Sequence, residues 1–226
     1  MSCRERSFVS LTSSAMKVVN LSTAVRFIGA AMRHSTVSDS GSAAERSILL
    51  LGDPRLRVRS GEVVDFEHPE FRDACAGLSS TLAAFRARHG FGRAISAPQI
   101  GVALRLIAVN PGDGPFFVVN PRVIVTSGES FTMWDDCMSF PGLLVRLRRD
   151  RSISLCYHDE TGSEREWPRM GLAESELLQH EIDHLDGVLA IDRAIDRDAI
   201  VLREVFEQRK AEFRRQVDYV IGEPLR

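Results

Sequence analysis

The sequence predicts an α+β fold in which mostly antiparallel strands surround a central helix that carries an HExxH metal motif. Three observations lead to this prediction. Apolar residues recur at spacings of three and four in two separate segments, which is the periodicity of an amphipathic helix. Short runs rich in β-branched and aromatic residues lie between them, separated by turn-forming residues. Because the strands come in clusters and do not alternate one by one with helices, the pattern favours α+β over a parallel α/β fold.

The elements can be assigned in order along the chain. A first helix begins at Pro69 and ends before Gly90, and its apolar residues share one face: Phe71, Cys75, Leu78, Leu82 and Phe85. Strands are predicted over 102–109, 116–120, 122–126, 143–147 and 153–157. A second helix covers 172–185 and is closed by Gly187, and a charged pattern over 199–217 predicts a third helix.

Composition bounds the class of protein. The 226 residues contain 29 Lys+Arg and 31 Asp+Glu, a net charge of −2. This balance argues against binding to nucleic acid through bulk charge, and we expect no direct sequence-specific nucleic-acid binding. No apolar run approaches the roughly 18–20 residues that a membrane helix needs, so we expect no membrane partner either.

The first 46 residues differ from the rest of the chain. They hold ten serines, six Lys+Arg and three acidic residues, which is typical of organelle transit peptides and also of disordered tails. We therefore divide the chain into an N-terminal extension over 1–46, a folded catalytic domain over 47–198, and a C-terminal helix and tail over 199–226.

The clearest chemical signal is the run from His180 to His184, His-Glu-Ile-Asp-His, within the second helix. Residues four apart lie on one helix face, so both imidazoles can bind one metal ion while Glu181 lies beside them. Catalytic sites of the zinc type use three protein ligands, an open position for water and a nearby carboxylate. The motif therefore predicts a metal-dependent hydrolase.

The third ligand remains open from the residues alone. Metzincin proteases place a histidine at the position that Ala190 occupies here, which excludes that class. A thermolysin-like site would use a downstream acid, for which Glu204 and Glu207 are candidates. Cys137, in a polar run rich in turn formers, is equally well interpreted as a ligand or as an inert buried cysteine.

Three segments together resemble the signature motifs of the peptide deformylase family. The family pattern G-x-G-L-A-A-P-Q is matched by 92–99, E-G-C-L-S by 135–139, and Q-H-E-x-D-H-L-x-G by 179–187. The resemblance covers about residues 48–195. It implies a metal-dependent hydrolase that removes the formyl group from the N-terminal formylmethionine of newly made polypeptides.

The resemblance also implies the parts of the site. Cys137, His180 and His184 are expected to hold one divalent ion, most often Fe²⁺ in this family, with Zn²⁺, Ni²⁺ or Co²⁺ as alternatives. Nascent formylated polypeptides at the ribosome are the expected partners. The location is expected to be cytoplasmic in a bacterium, and the mitochondrion or plastid in a eukaryote.

Roles for the remaining site residues follow from the same resemblance. Glu181 is expected to act as general base, while the Gln99 side-chain amide and the Met138 backbone N–H bond the developing oxyanion. For Asp183 the residues alone leave two interpretations open: it orients a ligand histidine, or it is an exposed helical aspartate. The predicted substrate-binding residues are these: Gly92, Ala94 and Ile95.

The chain departs from the family pattern at two places. Ala94 replaces a glycine of the first motif, and Asp135-Asp136 replaces Glu-Gly before Cys137. We expect the Asp136 carboxylate to point into solvent, because carboxylates are seldom buried without a partner. These departures leave two alternatives open: an amide hydrolase with a different acyl substrate, and a non-catalytic metal-binding relative.

Overall fold

The computed structural model describes residues 44–112 and 114–222. The predicted extension over 1–46 therefore lies almost wholly outside the described residues. Its last residues already contact the fold, since the backbone N–H of Arg46 donates to Thr81 Oγ1 at 2.9 Å. The described fold thus begins slightly before the expected boundary at residue 47.

The described residues form eight strands, which are β1 (Ala94–Ser96), β2 (Leu106–Val109), β3 (Phe116–Thr126), β4 (Ser130–Asp135), β5 (Leu143–Asp150), β6 (Ile153–His158), β7 (Glu164–Trp167) and β8 (Ile200–Leu202). The helices within them are α1 (Pro69–His89), α2 (Leu172–Leu185), α3 (Arg203–Gln208) and α4 (Lys210–Phe213). Short 3₁₀ turns cover Pro54–Arg57, Ala97–Ile100, Ala190–Arg193 and Arg214–Gln216.

The strands form two antiparallel sheets. The larger has the order β1-β2-β3-β6-β7 and the smaller the order β4-β5-β8, and every neighbouring pair is antiparallel. Helix α2 contacts β1 of the larger sheet and β5 of the smaller one. The helix with the HExxH motif is therefore placed between the sheets, and the predicted α+β class is confirmed.

The two long helices match their predictions because their apolar stripes are buried. On α1, Phe71, Leu78, Leu82 and Phe85 are each at most 4% exposed, and they pack with residues of β1 and β2. The helix ends at Gly90, whose φ of 74° is the left-handed conformation that glycine adopts most readily.

The strand predictions were incomplete. The two short strands predicted at 116–120 and 122–126 are parts of one strand, β3. The strand continues through an irregularity at Asn120, where φ is 49° and the register with β6 shifts. The Asn120 side chain accepts from Val63 N at 2.9 Å and donates to Val63 O at 2.8 Å, which secures the irregular geometry. Strand β4 was not predicted, although it leads directly into the second motif.

The predicted C-terminal helix over 199–217 is wrong. Residues 200–202 form β8 at the edge of the smaller sheet, and helical turns then follow with a break at Arg209, where φ is −119°. The break lets Phe206 and Phe213 both pack on Trp134, with ring centroids 5.8 and 5.2 Å away. Packing on one aromatic ring outweighs the helical periodicity of the segment.

In the part of the chain that the structure describes, none of the helices combines the length and the apolar character needed to cross a membrane.

Candidate metal centre

Three segments converge on one buried site. Helix α2 supplies His180, Glu181 and His184, the loop after β4 supplies Cys137, and the turn after β1 supplies Gln99. All five residues are at most 7% exposed. Cys137 is 38 positions from Gln99 and 47 positions from His184 in the sequence, so the packing of α2 between the sheets brings distant residues together.

The end of α2 depends on a glycine. Gly187 has a φ of 73°, and a Cβ added there would lie 2.5 Å from the backbone oxygen of Arg57. No other residue fits so close to that backbone. Gly187, the last residue of the third motif, therefore fixes how α2 meets the segment at Arg57.

The donor atoms are arranged to hold a metal ion. Cys137 Sγ lies 3.2 Å from His184 Nε2, and the donor atoms of Cys137, His180 and His184 all lie within 4.8 Å of one another. Ligands of a tetrahedral ion are about 2.0–2.3 Å from it, so their donor atoms are roughly 3.5 Å apart. The sulfur and two imidazoles therefore fit a divalent transition metal.

The thermolysin-like alternative receives no support from the described residues. Glu204 and Glu207 are exposed, and Glu207 pairs with Lys210 at 2.8 Å. Within those residues, the group whose donor atoms converge is Cys137, His180 and His184. Cys137 is therefore the candidate third ligand beside the two histidines of the HExxH helix.

Glu181 lies beside the ligands with a free acceptor. The residue is 3% exposed, and its Oε2 atom has no hydrogen-bond partner among the described residues. Burial raises the pKa of Glu181, and the nearby His180 offsets this only in part. A buried carboxylate oxygen without a partner costs free energy, which indicates that it serves a water molecule or substrate.

The carboxylate that contacts a ligand histidine is Asp135, not Asp183. Asp135 Oδ2 lies 2.9 Å from His180 Nδ1 and also accepts from Arg149 Nη2 at 3.0 Å. The contact leaves His180 Nε2 as the donor atom for an ion. Burial opposes a charge on His180, but Asp135 outweighs it and raises the pKa of His180 well above its ordinary value.

Asp183, for which we expected a contact with a ligand histidine, is bound by arginines. Its Oδ2 accepts from Arg149 Nη1 at 2.5 Å, and Arg193 donates to both of its oxygens at 2.5 and 2.6 Å. Asp183 thus reaches His180 only through Arg149 and Asp135.

Burial lowers the pKa of His184 well below its ordinary value, with the charge of His180 adding to the effect.

Removing the charge of Asp135 is expected to weaken metal binding. In Asp135→Asn the amide keeps the size of the side chain but no longer stabilises His180 as a ligand, so we expect a roughly 10–100-fold loss of affinity. Competition with a chromophoric chelator measures this, and Asp159→Asn, in the β6–β7 turn, is the control. An affinity within twofold of the wild type would contradict the role of Asp135.

Gln99 directs its amide nitrogen at the site. Its Oε1 accepts from the backbone N–H of Ser96 at 2.9 Å and from Ser96 Oγ at 3.0 Å. These bonds orient the amide, so that Nε2 lies 3.7 Å from Cys137 Sγ and 3.3 Å from Ser139 Oγ. The donor is therefore held beside the ligand cysteine.

A cavity of about 400 Å³ opens beside the ligands. Of the predicted substrate-binding residues, Gly92 and Ala94 line it, as do Gln99 and Met138. Ile95 does not: it is fully buried and packs in the core with α1, because successive side chains of β1 point to opposite faces. Gly92 has a φ of 114°, and a Cβ there would lie 2.7 Å from Met138 Cε.

Asp136 also differs from its expectation. Its side chain does not point freely into solvent but accepts from Arg203 Nη2 at 2.9 Å, and it is 28% exposed. Arg203 also donates to the backbone oxygen of Pro141 at 2.6 Å and lies over the ring of Phe91. Asp136 therefore ties the loop with Cys137 to the start of α3.

Sequence reasoning missed a second charged pair at the site. Arg93 Nη2 donates to Glu176 Oε1 at 2.5 Å, and both residues line the cavity. Burial raises the pKa of Glu176 to about 7, even though Arg93 opposes the rise. The spacing of four between Glu176 and His180, which places both on one face of α2, was the available signal.

The raised pKa of Glu176 predicts a pH-dependent stability. In the unfolded chain the Glu176 carboxyl loses its proton near the ordinary pKa of 4.5, whereas in the folded protein it does so only near pH 7. The contribution of protonated Glu176 to the free energy of unfolding is therefore complete below about pH 4.5 and is lost as the pH rises through 7. Relative to Glu176→Gln, we expect the wild type to lose up to about 3 kcal/mol of unfolding free energy by pH 8. Urea denaturation of the metal-free proteins from pH 5 to 8 measures the difference. A difference that does not change with pH would contradict this assignment.

Known proteins are similar to this chain in sequence and fold. The family profile described as Polypeptide deformylase matches residues 45–199. A peptide deformylase of Thermotoga maritima is 32% identical over 157 residues, which are 70% of this chain and 92% of that relative. A peptide deformylase of Dictyoglomus thermophilum is 32% identical over 151 residues, with coverage of 67% and 94%.

Solved structures agree with these sequence matches. The crystal structure of peptide deformylase from Thermotoga maritima has a TM-score of 0.61 at 30% identity, and the match covers 68% of this chain and 99% of that one. The enzyme from Synechococcus elongatus, crystallised with actinonin, has a TM-score of 0.64 at 25% identity, with coverage of 78% and 95%.

The fold and the site together define a metal-dependent hydrolase. The chain belongs to the polypeptide deformylase family. This confirms the resemblance, the fold class and the type of enzyme that the sequence predicts. Removal of the formyl group from N-terminal formylmethionine is the function that membership of this family supports.

Proposed function

We propose that Cys137, His180 and His184 hold one divalent ion, and that Glu181 directs hydrolysis of the formyl amide beside it. The observation that carries this proposal is the buried Glu181 carboxylate, with an unpartnered oxygen, next to three converging donor atoms. This oxygen supports catalysis over a purely structural metal site, because an unpartnered carboxylate oxygen beside the donor atoms can accept a proton from water.

The residues divide the reaction between them. A bound divalent ion would act as a Lewis acid and lower the pKa of a water molecule to near neutrality. Glu181 takes the proton from the attacking water, whose oxygen adds to the formyl carbon. The Gln99 Nε2 group and the Met138 backbone N–H bond the oxygen that gains charge. Glu181 then gives its proton to the departing amine as the C–N bond breaks, which releases formate and a free N-terminus.

The proposed native ion is Fe²⁺. One sulfur and two imidazoles also accept Zn²⁺, Ni²⁺ and Co²⁺, so the donor set by itself does not select among them. The test is formate release from formyl-Met peptides by the protein reloaded anaerobically with each ion in turn. Activity with Fe²⁺ at least as high as with the other ions supports the assignment, and a clear preference for Zn²⁺ overturns it.

We further propose that the substrates are nascent chains at the ribosome, in the cytoplasm of a bacterium or in a mitochondrion or plastid. The Ser- and Arg-rich composition of residues 1–46 supports the organelle alternative. A fusion of residues 1–46 to a fluorescent protein tests it by the compartment that becomes labelled. Cosedimentation with ribosomes that carry formylated chains tests the partner.

A further inference from the structure

One wall of the cavity carries an ion pair formed by Arg93 and Glu176. Glu176 lies one turn before His180 on α2, so it shares the face that carries the metal ligands. Its side chain is 1% exposed, whereas that of Arg93 is 35% exposed. Arg93 also donates to the backbone oxygen of Ala173 at 3.1 Å, which fixes its position over α2.

Neither residue has a role in the hydrolysis described above. The cavity lining also contains the apolar residues Phe91, Leu177 and Met138. Its other charged residues outside the metal centre, Arg86 and Asp136, are bound to the backbone oxygen of Asn110 and to Arg203. Arg93 has more N–H groups than its two fixed acceptors use, and part of its guanidinium remains exposed. The pair therefore gives this wall both donors and acceptors.

The substrate must bring a side chain close to this wall. The first residue of a formylated peptide is attached directly to the amide nitrogen that leaves, so its side chain lies in the cavity beside the metal centre. A purely apolar side chain would remove water from Arg93 and Glu176 and return no hydrogen bonds. A carboxamide would accept from Arg93 and donate to Glu176.

Charge narrows the class of side chain further. A carboxylate would face Glu176, Glu181 and Asp136, and an ammonium group would face Arg93 and Arg86. A neutral carboxamide meets neither repulsion. Glutamine has nearly the length of methionine, so it can occupy the same space.

We propose that Arg93 and Glu176 determine specificity for the first substrate residue, and extend the range of substrates to formylated peptides that begin with a neutral carboxamide side chain. This inference rests on the proposed function. It concerns the ratio of kcat/KM between two substrates and not the overall rate of hydrolysis.

The test compares formyl-Gln-Ala with formyl-norleucine-Ala, where norleucine is an apolar side chain of similar length. The double variant Arg93→Leu/Glu176→Leu removes both charges, so neither is left buried without a partner. We expect the ratio of kcat/KM for the glutamine peptide over the norleucine peptide to fall at least tenfold, since a lost hydrogen-bond partner in a binding site has an effect of about this size.

A matched control changes another arginine–carboxylate pair. Arg105→Leu/Asp186→Leu removes a pair with an N–O distance of 2.7 Å that does not line this cavity, and the ratio should stay within twofold of the wild type. If the first double variant does not fold, Arg93→Met removes the donors alone and should lower the ratio in the same direction.

Two outcomes separate this inference from the proposed function. If the metal-loaded wild type hydrolyses neither peptide nor formyl-Met-Ala, the proposed function fails and the inference fails with it. If the peptides are hydrolysed but the ratio does not change in the folded variants, the inference alone is overturned.

Discussion

Glu181→Gln is expected to lower kcat for formate release by about 10²–10⁴-fold with no loss of bound metal. The amide has nearly the size of the carboxylate but cannot accept the proton of the attacking water. It also cannot pass that proton to the departing amine, so both halves of the reaction are affected. Formate release and metal content should be measured on the same preparation, because only then is catalysis separated from occupancy.

Glu174→Gln is the matched control for this experiment. Glu174 lies on the same helix but is exposed, so its replacement should leave kcat within about twofold of the wild type. Near-wild-type turnover in Glu181→Gln, with full metal occupancy, would show that Glu181 is not the general base.

Cys137→Ser is expected to weaken metal binding by more than roughly 10–100-fold, which is the loss of affinity caused by replacing a residue that only hydrogen-bonds to a metal ligand. A hydroxyl is a much poorer ligand than a thiolate for Fe²⁺, Zn²⁺, Ni²⁺ and Co²⁺. Dialysis against a chelator, followed by metal analysis, measures the retention of the ion.

Glu204→Ala is the control for the cysteine variant, since Glu204 was the candidate ligand of the thermolysin-like alternative. This exposed residue should leave metal retention unchanged. The reverse pattern, with the ion retained in Cys137→Ser and lost in Glu204→Ala, would place the protein in another class of hydrolase.

The centre of the site was predictable because its signal is local. His180, Glu181 and His184 lie within five residues, and the period of a helix alone places the two histidines on one face. Helix α2 was predicted over 172–185 for the same reason, and the structure has it at Leu172–Leu185. Cys137 came from the resemblance to a family, because nothing in its local pattern separates a ligand from a buried cysteine.

The surroundings of the site were not predictable because they depend on pairing across the fold. Asp135 and Arg149 lie on the same face of the β4–β5 pair, but they are opposite Val145 and Phe131, so the contact depends on the reach of the arginine side chain along the sheet. Arg93 and Glu176 are 83 residues apart, and in sequence each is a charged residue of the kind that is usually solvated. Asp183 was expected to contact a ligand histidine, but its partners are arginines brought in by β5 and by the turn at Ala190–Arg193.

The most direct test of a single ion held by Cys137, His180 and His184 is a titration of the metal-free protein with Fe²⁺ under anaerobic conditions, followed by formate release from formyl-Met-Ala. We expect activity to rise linearly and to stop at one ion per chain, and Cys137→Ser to give no such break. Full activity in the metal-free protein, or a break at one equivalent that survives in Cys137→Ser, would contradict this metal centre.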